Sequence, residues 1–109
     1  MAKSKDMELE KLRLGYHFEE GVNFRDRVIQ IDDEIDESSF SLFDAALSEM
    51  ERDSKRTVTI RINCPGGSVY DALAIIGRAS SSSCHIVTEG YGHVMSAATL
   101  LLASGKKRR

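Results

Sequence analysis

Two short stretches of this 109-residue chain carry residue types suited to acyl transfer. Ile62-Asn63-Cys64-Pro65-Gly66-Gly67-Ser68 reads as a strand leaving through a tight glycine turn. Ser96, 29 residues after Gly67, opens an apolar helix within Gly92-His93-Val94-Met95-Ser96-Ala97-Ala98. Gly67 has no side chain and tolerates positive φ, so its N–H can be aimed at a substrate oxygen without steric cost. Acyl transfer needs such donors where negative charge develops, and one is worth about 10²–10³ in rate. At a helix start the N–H of Ala97 is a further unsatisfied donor beside the Ser96 hydroxyl. Gly92 lets the backbone turn sharply ahead of that serine, and the small Ala97 and Ala98 let the helix pack closely. Taken singly, Pro-Gly-Gly after a strand is usually a turn, and a serine before an apolar run is usually a helix cap. The serine's neighbours also differ from the Gly-x-Ser-x-Gly elbow of α/β-hydrolases.

The elements around these residues alternate. Arg27 to Ile31 reads as a strand ended by Asp32-Asp33-Glu34. Ser38 or Ser39 is a cap for a helix in which Phe40, Phe43, Leu47 and Met50 recur at helical spacing, followed by a polar connection from Asp53 to Arg56. Thr57 to Ile62 alternates and is rich in β-branched residues, as a strand requires. A second helix carries Val69, Leu73 and Ile76 on one face with Ala72 beside them, and residues 80–83 form a serine loop. Cys84 to Thr88 is a third strand, broken by Gly90 and Gly92. The helix over residues 96–104 stops at Gly105. Strand and helix in alternation predict an α/β fold with a mainly parallel sheet and right-handed crossovers. Sites in such sheets lie outside the carboxyl ends of strands, where Gly66-Gly67 and the residues from Gly92 to Ser96 both fall.

Composition narrows the classes. Apolar content of 41%, charge of 29% and a net charge of −2 are those of an ordinary globular protein, with no reason to expect nucleic acid or an acidic membrane as partner. The longest apolar run, residues 94–103, is too short to span a bilayer. Cys64 and Cys84 form no Cys-x-x-Cys pair, so the expectation is no bound metal, no disulfide framework and a cytoplasmic location. The basic residues Lys106 to Arg109 are expected to be a solvated loop. Residues 1–24, with Leu9, Leu12 and Leu14 among mixed charges, read as a poorly defined arm or a short helix ahead of a domain over 25–109.

From about residue 25 onward, the Pro65-Gly66-Gly67 turn, the helix after it, and Gly92-x-x-x-Ser96-x-Ala98 through Gly105-Lys106-Lys107-Arg108 resemble the ClpP family, the proteolytic subunits of Clp proteases. The resemblance implies a ClpP/crotonase-like fold, present here only in its N-terminal portion. It implies Ser96 as nucleophile, with backbone N–H groups of Gly67 and Ala97 as oxyanion hole and Pro65, Gly66 and Gly92 as supporting loop residues. It further implies unfolded polypeptide as substrate, heptameric rings, and a partner Clp ATPase that uses ATP, so that this chain needs no cofactor. Three departures accompany it. Cys64 stands where the family commonly has serine. Val94-Met95 replaces Ala-Ala, as in diverged, virus-encoded relatives. The family's catalytic His and Asp would fall after residue 109.

His93, His85 and His17 have no sign of an orienting carboxylate, so the chain by itself is expected to be close to inactive. Two other readings are a non-catalytic ClpP-like subunit of a mixed ring and a crotonase-type acyl-CoA enzyme, which uses paired N–H donors without needing Ser96.

Overall fold

The computed structural model describes residues 21–108; Leu9, Leu12, Leu14 and His17 lie outside them. Five strands form one sheet in the order β1-β2-β3-β4-β5. They are β1 (Val22–Asn23), β2 (Val28–Ile31), β3 (Val58–Cys64), β4 (Ile86–Val94) and β5 (Lys107–Arg108). β1 pairs antiparallel with β2, and every later pair is parallel. The helices α1 (Glu37–Asp53), α2 (Val69–Ser80) and α3 (Ala97–Ala103) fill the three parallel crossovers. The α/β architecture read from the alternation is therefore present, with an antiparallel strand added at one edge.

Period-2 alternation decides which face of β3 is core. Val58, Ile60, Ile62 and Cys64 are fully buried, whereas Thr59, Arg61 and Asn63 point to the other, more open face. Phe43, Leu47, Met50, Ala72, Ile75 and Leu101 of the helices close over the buried row. In α2 the packing face is Ala72, Ile75 and Ala79. Of the stripe seen in the sequence, Ile76 packs against the core, whereas Val69 and Leu73 remain 48% and 51% exposed.

Several boundaries differ from those read in the sequence. α1 is capped by Asp36, whose carboxylate accepts from Ser39 N–H while Ser39 Oγ accepts from Asp36 N–H. A carboxylate at that position also suits the positive helix end. β4 starts later and runs through both glycines to Val94. Main-chain pairing needs no side chain, and Gly90, opposite Ile62, gives room to Leu102 of α3. Lys107–Arg108, expected as a loop, pairs with Val87 and Thr88, because an edge strand tolerates charged residues. Val22–Asn23, within the stretch read as an arm, form β1.

Two arginines fix the layers. Arg27 holds positive φ (58°) and is 4% exposed. Its guanidinium donates to the carbonyls of Thr57, Met50, Ser54 and Arg56, to Asp53 and to Cys84 Sγ. It thereby closes the carboxyl end of α1 and the connection to β3. Arg78 of α2 forks onto Glu51 of α1 at 2.7 and 3.1 Å and also reaches Asp44 at 2.7 Å and Ser48 at 3.1 Å.

The Arg78 hydrogen bonds hold the Glu51 carboxyl down from 4.5 to about 2, against the opposing effect of burial. A depressed carboxyl stabilises the fold above its unfolded value, and that contribution disappears as pH falls from about 4.5 towards 2. Glu51→Gln is expected to cost about 1–3 kcal/mol at neutral pH. It should also flatten that acid limb in urea melts recorded across the pH range. Gly77 offers a gain instead. A Cβ there would meet nothing within 4 Å, so Gly77→Ala should raise stability by about 0.5–1 kcal/mol in the same melts.

Candidate active site

The turn after β3 is built on Ile35. Ile35 N–H donates to Gly66 O at 2.8 Å, and Ile35 O accepts from Ser68 N–H at 2.9 Å, an isolated parallel bridge. In such a bridge the flanking groups point at the partner, and the central residue's own N–H points away. Gly67 is that central residue, and its N–H has no acceptor among the described residues. Its φ of 140° and the Ile35 backbone lying where a Cβ would be restrict the position to glycine. Cys64 braces the turn from below. Its buried thiol donates to Asp33 O at 3.0 Å, and its sulfur accepts from Gly66 N–H at 3.3 Å. Burial pushes this thiol's pKa up, so it acts as a small polar strut rather than a nucleophile. A serine hydroxyl supplies the same donor and acceptor, which accounts physically for the first departure from the family pattern.

Ser96 lies against this turn. A Cβ on Gly66 would come 2.8 Å from Ser96 Cβ and 3.3 Å from Ser96 Oγ. Ser96 occupies the cap position of α3 but makes no capping hydrogen bond. Its φ of 54° with ψ of −127° is a region that residues with a side chain rarely adopt. Among the described residues its exposed hydroxyl has no hydrogen-bond partner, and Ala97 N–H has no acceptor. Ala97, Ala98 and Leu101 are buried, and Thr88 Oγ1 donates to Leu102 O at 2.8 Å, which ties α3 to β4. The short helix therefore sits firmly behind the serine.

Pro65 and Gly67 are exposed and Gly66 is buried between the turn and Ser96. Gly92 holds positive φ (63°) and bends β4 without ending it. Ser96 thus lies against the Gly66 turn at the carboxyl ends of β3 and β4, with Gly67 and Ala97 adjoining the two contacting residues in the chain. The histidines do not join them. His85 precedes β4 at the opposite end of the sheet. His93 is an exposed residue of β4, and among the described residues neither ring is hydrogen-bonded to Ser96. Sequence reasoning missed Ile35 and Asp33, although one apolar residue isolated among Asp32, Asp33, Glu34 and Asp36 is itself a sign of burial.

No helix among the described residues is long and apolar enough to cross a membrane. The Clp protease family model matches residues 20–109. The chain is 36% identical over 85 residues to the ATP-dependent Clp protease proteolytic subunit 1 of Thermobifida fusca, covering 77% of this chain and 38% of that one. The subunit 1 of Leifsonia xyli is 36% identical over 84 residues, covering 76% and 43%. The chain thus spans well under half the length of these relatives. Among solved structures, the ClpP protease catalytic domain of Plasmodium falciparum matches with TM-score 0.75 and 32% identity, over 86% of this chain and 51% of that one. ClpP1 of Listeria monocytogenes shares the fold, with TM-score 0.73 at 24% identity, over 75% and 48%. With its Pro-Gly-Gly turn and Ser96 within the segment that the family model matches, the chain belongs to the Clp protease family.

Proposed function

We propose that this chain is the nucleophile-bearing part of a ClpP-type serine peptidase that cleaves unfolded polypeptide. The peptidase domain in this reading covers residues 20–109, the span matched by the family model, and includes β1. Ser96 Oγ attacks the peptide carbonyl carbon, and the resulting oxyanion accepts from the N–H groups of Gly67 and Ala97. Collapse breaks the C–N bond, the proton from Ser96 leaves with the amine, and water then hydrolyses the acyl ester. The observation that carries this reading is Ser96 itself, at positive φ with no capping bond and packed against the glycine turn. A serine serving only as a cap would adopt extended backbone and bond to the following turn.

The proton acceptor in this reading is a histidine contributed from outside the described residues, since neither His85 nor His93 bonds to Ser96. Association with further subunits in a cytoplasmic ring fits the exposed apolar side chains Val69, Tyr70, Leu73, Met95 and Leu100. ATP in this reading is used by a partner Clp ATPase, with no cofactor on this chain. The unpartnered state of Ser96 also fits a second reading, a non-catalytic subunit of a mixed ring.

A fluorogenic-peptide assay on the protein purified from its own cells, with its copurifying subunits, separates the two. Ser96→Ala should abolish hydrolysis and labelling by a fluorophosphonate. Gly66→Ala should reduce hydrolysis by at least about 10² through displacement of Ser96. Hydrolysis unchanged by Ser96→Ala would sink the peptidase reading and favour the mixed-ring one. Strain at the nucleophile has its own signature. Ser96→Gly should be inactive yet more stable by about 1 kcal/mol in urea unfolding.

A further inference from the structure

We propose that Asn63 is a positioning residue for Ser96, acting as a side-chain clamp across a break in the β3–β4 ladder. The inference rests on Ser96 being the nucleophile. The break itself is plain in the register. Ile62 pairs with Gly90 and Cys64 with Val94, so two steps along β3 face four along β4. The extra residues of β4 arch away from the ladder and would leave their main-chain groups without cross-strand partners. Asn63 stands opposite this arch on the open face of β3. Its Oδ1 accepts from His93 N–H at 2.9 Å. A side-chain carbonyl thus takes the place of the main-chain acceptor that the widened ladder no longer offers.

The fit is close on both sides. A Cβ on Gly92 would lie 2.9 Å from Asn63 Oδ1 and 3.3 Å from Asn63 Cγ, so the amide occupies the concavity that the glycine leaves. Immediately beyond the clamp the ladder resumes, with Met95 N–H donating to Cys64 O at 3.2 Å. Ser96 follows at once, at φ 54°. The path into the strained serine is therefore fixed by two consecutive anchors from neighbouring residues of β3, the Asn63 side chain and the Cys64 carbonyl. Tyr91, at the start of the arch, is held less firmly by an exposed stack with Arg61 (4.6 Å to the ring centre) and a bond to Glu89. Releasing the Asn63 anchor frees the middle of the arch and lets Ser96 relax towards ordinary backbone angles.

The test uses NMR on the full chain and needs no turnover. In Asn63→Ala the His93 amide should exchange about tenfold faster, while amides of α1 and β2 stay unchanged. The Ser96 Cα and Cβ shifts should move from values typical of positive φ towards those of negative φ. Asn63→Asp, which keeps the acceptor, should restore both signals, an effect that a general loss of stability would not produce. Should Asn63→Ala fail to fold, Gly92→Ala, which crowds Oδ1, gives the same two readouts. Unchanged exchange at His93 would overturn the clamp. Faster exchange with unmoved Ser96 shifts would overturn its positioning role. Either result is independent of whether Ser96→Ala abolishes hydrolysis, which decides the peptidase reading alone.

Discussion

The site depends on two main-chain hydrogen bonds made by one residue. Ile35, between β2 and α1, bonds Gly66 O and Ser68 N–H. This bridge converts a glycine-rich turn into a short extended segment. Without it, Gly66 and Gly67 would sample many conformations, and ordering them would cost about 1–2 kcal/mol per residue. With it, the Gly67 N–H is turned outward by strand geometry alone. Asp33 and Cys64 reinforce the same turn from the buried side. The side chain of Ile35 is buried at 2% exposure, so burial of one apolar group anchors the main chain that aims the donor.

The rest of the fold holds that anchor in place. Ile35 directly precedes Asp36, the cap of α1. The far end of α1 is closed by the buried Arg27 fan, and its flank is joined to α2 through Arg78. α2 itself begins at Ser68, whose hydroxyl accepts from Asp71 N–H. The glycine turn therefore lies between a strand and a helix that are both fixed at their distant ends. Arg27 does this despite positive φ, because five of the six groups it donates to are main-chain or sulfur acceptors that would otherwise lose hydrogen bonds on burial.

Much of this was legible in the sequence, for stated reasons. Alternation in Val58-Thr59-Ile60-Arg61-Ile62 and the spacing of Phe43, Leu47 and Met50 reflect local periodicity, and those elements formed as read. The glycines of β4 misled because propensity counts side chains, whereas pairing there is made by main chain and by Leu102 filling the space over Gly90. The stripe of α2 misled only in part: Ile76 packs on the core, but Val69 and Leu73 stay outside while Ala72, Ile75 and Ala79 are buried, because size alone does not say which face packs. That the glycine turn at Gly66 meets Ser96 was inferable from strand ends. Ile35, the Arg27 fan and the Asn63 bond were not, since each joins residues far apart in the sequence, up to 57 positions for Arg27 and Cys84, through single side chains or main-chain atoms with no repeating pattern.

The energetics at Ser96 set it apart from a well-made helix end and support the proposed role. A serine with extended backbone at that position would gain a cap worth about 1 kcal/mol. Ser96 forgoes it and sits in a backbone region costing about 1–3 kcal/mol more. The local deficit is thus a few kcal/mol, comparable with a large share of a small domain's net stability. It is tolerated only because α3 is held by buried Leu101 and the Thr88 bond on one side. On the other side, β3 fixes the approach through Asn63 and Cys64. A fold under selection for stability alone would relax this residue. Keeping it strained, with its hydroxyl unpartnered, is what the proposed nucleophile role would require, because that hydroxyl would have to meet a carbonyl carbon from a fixed direction.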